Sequence, residues 1–150
     1  MTGVQTCALP IFTDPQLVNP WGLSRGSGSA WWVSDNLTGF STLYNGAGAK
    51  QSLIVAIPPA DPNNKKTPTG SPTGTIFNGS QTDFLLAPGK PAVFLFSTAD
   101  GTIAGWNPAV AVAQGATPPS THAVTVVKTD RKSTRLNSSP RSLSRMPSSA

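Results

Sequence analysis

Short apolar runs, each closed by a turn signal, pattern the chain from residue 19 to residue 128. Asn19-Pro-Trp-Gly-Leu23 comes first, followed by the flexible run Ser24–Ser29. Ala30-Trp-Trp-Val-Ser34 is rich in aromatic and β-branched residues and predicts a strand. Asp35–Gly39 reads as a turn, because Asp and Asn bond back to the backbone and Gly takes positive φ. Phe40–Tyr44 predicts a second strand with Phe40, Thr42 and Tyr44 on one face. Asn45-Gly46 signals a tight turn, and Gln51–Ile57 a third strand stopped by Pro58-Pro59. Residues 60–73 predict an exposed loop. Gly74–Phe77, Pro91–Ser97, Thr102–Trp106 and Thr121–Lys128 predict further strands, with an excursion over Gln81–Lys90. No segment carries a helical period over eleven or more residues.

The pattern repeats. Ala30–Asn45 aligns with Ala92–Asn107 without a gap, matching Gly39 to Gly101, Tyr44 to Trp106 and Asn45 to Asn107. Pro20-Trp-Gly-Leu23 aligns with Pro72-Thr-Gly-Thr75. Each unit is a Pro-x-Gly strand, an apolar strand, a turn, an aromatic-ended strand and an outer strand. That order predicts an all-β fold built of four-stranded β-propeller blades. Apolar residues running together, as in Trp31-Trp32 and Phe94–Phe96, fit sheets covered on both faces. A β-sandwich with two similar hairpins is the alternative.

The stretches FTDPQLVNPWGLS (12–24), WWVSDNLTGFSTLYNGAGAKQSLIVAIP (31–58), PTGTIFNGS (72–80) and FLFSTADGTIAGWNP (94–108) together resemble an uncharacterised bacterial conserved hypothetical family. Its members look like NHL-type propellers of about six blades. The resemblance implies a partial propeller of about two blades over residues 12–130. It also implies a full-length protein that is extracellular or at the cell surface, since members begin with a secretion signal and some end in a PEP-CTERM-type sorting signal. Trp31 departs from the family, where a smaller residue is expected. No site residue is carried over by the resemblance.

Composition sharpens this picture at the ends. The formal net charge is +5, and residues 131–150 hold Arg131, Lys132, Arg135, Arg141 and Arg145 with no acid. Residues 12–130 balance six basic residues against six Asp. A basic tail can bind phosphates without a fold of its own. The run RKSTRLNSSPRSLSRMPSSA, however, resembles translated sequencing-adapter read-through, as does MTGVQTCALPI. Residues 1–11 are therefore expected to be a non-native extension, and 131–150 a non-native disordered basic tail. On that reading no nucleic-acid partner is expected. No apolar run reaches the ~18 residues of a membrane span.

Chemistry has little footing. With one cysteine (Cys7) and one histidine (His122), neither an internal disulfide nor a thiolate metal cluster is available. His122, Asp100 and a serine can be grouped only on paper as a triad. Asp35, Asn36 and Asp100 sit at turns, where they could hold a hard cation or cap the backbone; capping is expected. Trp21 and Trp106 could line a ligand rim or sit in the core; the core is expected. Asn36-Leu-Thr38 and Asn78-Gly-Ser80 match the glycosylation pattern. No catalytic, cofactor-binding or metal residue is assigned and no cofactor is expected. The expected function is a binding or structural module for a cell-surface or extracellular ligand. A metal-assisted propeller hydrolase of the lactonase kind is the alternative.

Overall fold

The computed structural model describes residues 12–128. The assigned extensions 1–11 and 131–150 lie outside the described residues. Within them the chain is all-β, with ten strands and no helix. Strands β1 (Pro20–Ser24), β2 (Trp31–Asp35), β3 (Phe40–Tyr44) and β4 (Lys50–Ala56) form one antiparallel sheet in sequence order. Strands β5 (Pro72–Phe77), β8 (Phe94–Thr98), β9 (Thr102–Trp106) and β10 (Val124–Lys128) form a second, again in sequence order. Between them β6 (Leu85–Ala87) and β7 (Lys90–Pro91) make a small hairpin. All of it but Pro91 falls within the excursion expected over Gln81–Lys90, where three apolar residues beside Pro88-Gly89 gave no strand signal. The expected strand Pro91–Ser97 is divided. Pro91 ends β7, and the Ala92 and Val93 amides bond Phe84 and Trp106 carbonyls before β8 begins at Phe94.

The two sheets share one register. In the first, Pro20 faces Asp35 and Gly22 faces Ser34, with a bulge at Trp21. In the second, Pro72 faces Thr98 and Gly74 faces Ser97, with a bulge at Thr73. Both hairpins are antiparallel, and Gly39 and Gly101 sit in their turns at φ 75° and 83°. That left-handed conformation is open to glycine at little steric cost. The repeat is not gapless, however. Asp35 faces Phe40 across four turn residues, whereas Thr98 is followed by three before Thr102. The second turn is one residue shorter, which displaces β8 by one position from the sequence alignment.

Cross-strand partners share a sheet face. Trp32, Ser34, Ser41 and Leu43 therefore occupy one face of the first sheet, and Phe94, Phe96, Ala104 and Trp106 one face of the second. These two faces meet. Trp32 stacks on Phe94 at 4.2 Å between centroids and lies 4.7 Å from the Trp106 ring. Val55, Ile57 and Ala123 complete the core. At the inner edge β1 runs against β5 so closely that a Cβ on Gly22 would lie 2.6 Å from the Thr75 nitrogen. At the outer edge Ala56 bonds Thr121 and Ala123.

Candidate functional site

The faces turned away from the core are partly open: Asp35 and Thr42 lie buried on that of the first sheet, while Trp21 and Leu23 are exposed. Leu23 pairs with Val33, Val33 with Thr42 and Trp31 with Tyr44, so these residues share the outer face of the first sheet. Trp21, Leu23, Val33 and Tyr44 line a groove of about 380 Å³ there, with Phe12 and Leu17 as one wall. Trp21 is 65% exposed and Leu23 62%. The outer face of the second sheet carries a groove of about 310 Å³ lined by Ile76, Phe84, Leu95 and Ile103.

A polar network fixes the first groove. Asp14, on the segment before β1, accepts hydrogen bonds from the Tyr44 hydroxyl at 2.6 Å and Lys50 Nζ at 2.8 Å. Lys50 also bonds the Gln16 side chain, and the Thr38 hydroxyl donates to the Gln16 carbonyl. Burial raises the Asp14 pKa, but Lys50, Tyr44 and the Gln16 amide outweigh it and hold the carboxyl below its ordinary value. Tyr44 is pushed up to about 12, first by burial and then by its bond to Asp14. Deeper on the same face Thr42 donates to Asp35 Oδ2 at 2.8 Å, while Oδ1 has no partner. Burial pushes the Asp35 carboxyl up to about 6, against the Thr42 bond. Asp35 is fully buried, so no solute reaches it. The network can anchor the 12–18 segment beside the groove; its carboxyls are covered, and only the Lys50 amine reaches solvent.

The residues weighed from sequence do not converge. The His122 ring pairs with Thr121, whereas Asp100 accepts from the Ala60 amide and the Thr98 hydroxyl. Asp100 therefore caps the backbone, and so does Asn36, whose Nδ2 donates to the Pro72 carbonyl across the two sheets. Asn78 spends its Nδ2 on the Asp83 and Ala92 carbonyls. Both amides of the glycosylation patterns are thus engaged in structural bonds. Trp106 is core, with Nε1 donating to the Ser120 carbonyl. Trp21 departs from expectation and lies on the open groove. Among the described residues no three His, Cys, Asp or Glu side chains are grouped to hold a metal ion. No helix among them is long and apolar enough to cross a membrane. The Asp14–Tyr44–Lys50 network was not read from sequence, since Asp14 lies thirty or more residues from both of its partners. Only the shared face of Thr42 and Tyr44 was visible.

The chain is similar to Uncharacterized protein R648 of Acanthamoeba polyphaga mimivirus, with 32% identity over 99 residues, 65% of this chain and 24% of that protein. The chain thus spans about a quarter of the length of the curated relative it matches. No family model matches the chain. No solved structure matches it.

Proposed function

We propose that the two four-stranded sheets are consecutive blades of an NHL-like β-propeller. In this reading the intact protein is a secreted or surface-associated binding or structural module. One observation carries the fold reading: both sheets repeat the same strand order, bulge and Pro–Gly register, and they pack through opposite faces. A sandwich pairs the inner faces of two sheets and leaves solvated outer faces. Here the outer faces carry Trp21, Leu23, Ile76 and Ile103, which suits sheets that receive further neighbours. The greater length of the mimivirus relative leaves room for more such sheets.

The binding-module reading rests on the apolar groove beside an anchored segment. Propellers of many functions share one architecture, so the role is argued from this groove and not from the fold. The test is a solved structure of the mimivirus relative, followed by binding assays on the same protein. Further four-stranded sheets arranged around one axis are expected. A matched stretch that closes as a self-contained sandwich would contradict the reading.

A further inference from the structure

The two open faces are the structural counterparts of the two faces that pack in the core. Placing the second sheet on the first by its shared register carries Trp32 onto Leu95, Ser41 onto Ile103 and Gly22 onto Gly74. The outer face of the second sheet therefore corresponds to the packed face of the first. Likewise Phe94, Phe96 and Trp106 correspond to Trp31, Val33 and Tyr44 on the outer face of the first sheet. Each outer face thus has the position and hand of a partner for the other, and one molecule cannot bring its own two together through the existing core.

We propose that the outer face of the second sheet docks the outer face of the first sheet of another copy of this chain, head to tail. Leu95 of one copy then meets Trp31, Val33 and Tyr44 of the next, as Trp32 meets Phe94, Phe96 and Trp106 within the molecule. Gly74 supports this closely. A Cβ there would meet the Ser97 hydroxyl at 2.6 Å and nothing beyond its own sheet, so among the described residues no strand packs at this counterpart of Gly22, where β1 abuts β5. The contact is heterologous, so copies add in one direction and form a ring or an open chain. The proposal rests on the two sheets being successive equal units, as in the propeller reading.

The arrangement has a specific experimental signature. Leu23→Lys spoils the outer face of the first sheet, and Ile76→Lys that of the second. Both residues are more than 60% exposed, so neither change touches the core; near-ultraviolet circular dichroism of the Trp32 cluster verifies the fold. The 150-residue chain is expected to show a mass that rises with concentration in light scattering. Each single variant should be monomeric, because every possible contact lacks one face. Mixed in equal amounts, the two variants should form a one-to-one dimer and grow no further. Trp21→Lys and Ile103→Lys provide a second pair. A monomeric parent chain at all concentrations overturns the proposal. So does self-association abolished by only one of the two substitutions, which marks a like-to-like contact, or variants that stay apart when mixed. None of these failures bears on whether the longer mimivirus relative forms a ring, which its own structure decides.

Discussion

At the scale of single residues, two carboxyls have opposite pH behaviour: burial dominates at Asp35, whereas hydrogen bonds and Lys50 outweigh it at Asp14. Asp35 is raised to about 6, so the unfolded chain loses this proton at lower pH than the folded chain. Stability therefore falls as pH rises from about 4 to about 6 and is flat above. Asp14 has the reverse sign: it is held below its ordinary value. Its contribution is complete above about pH 4 and is lost as pH falls through the folded value. Asp35→Asn keeps an acceptor for Thr42 and removes the charge. We expect this variant to lose the slope between pH 4 and 6 and to gain about 1–2 kcal/mol at neutral pH, read from urea unfolding at several pH values. An unchanged slope would contradict the burial argument. Tyr44→Phe removes one hydrogen bond to Asp14, a loss of about 1–2 kcal/mol. Faster hydrogen exchange at the Gln16 and Leu17 amides should report it. These residues were poorly legible in the sequence: an aspartate thirty positions from its tyrosine leaves no local pattern. Asp35 read as a turn residue because Asp-Asn favours turns, and only tertiary cover by Thr42 shows it to be the buried end of β2.

At the scale of elements, strand order and turn chemistry were legible. The turn glycines Gly39 and Gly101, the stop at Pro58-Pro59 and the Pro-x-Gly start of β1 fall where local chemistry places them, whereas β5 begins at a buried Pro72, two residues inside the stretch 60–73 expected as an exposed loop. The one-residue shift of β8 was not legible. Alternation in Phe94-Leu95-Phe96 is masked by apolar residues on both faces, so register depends on the shorter turn and the bulge. The two Pro-x-Gly glycines do different work despite equal positions. A Cβ at Gly22 would meet the Gly74 and Thr75 backbone at 2.6 to 3.0 Å, whereas one at Gly74 would meet the Ser97 side chain. Gly22→Ala should therefore part β1 from β5 and cost about 2–3 kcal/mol, and Gly74→Ala about 1 kcal/mol or less. Denaturation of both variants at low protein concentration checks the order; equal costs would mean that β1 and β5 do not abut.

At the scale of the whole molecule, cover is the unresolved demand. Among the described residues eleven apolar side chains are buried, while thirteen large ones are exposed. Two sheets share one interface, and its centre is a single ring cluster around Trp32. Trp32→Ala should cost about 3–5 kcal/mol, comparable to the low end of a small domain's total stability of about 5–15 kcal/mol. That change should abolish the cooperative transition followed by near-ultraviolet circular dichroism.

Urea unfolding of the chain carrying both Leu23→Lys and Ile76→Lys, followed by tryptophan fluorescence, tests most directly whether the two sheets are units that need neighbours. These substitutions keep the molecules apart, so only the single internal interface is measured. We expect a broad transition at low urea, with a slope below the roughly 1–3 kcal/mol/M of a complete small domain. A sharp transition with a full-sized slope in the monomer would contradict this, and would mark the two sheets as a finished β-domain whose outer faces need no cover.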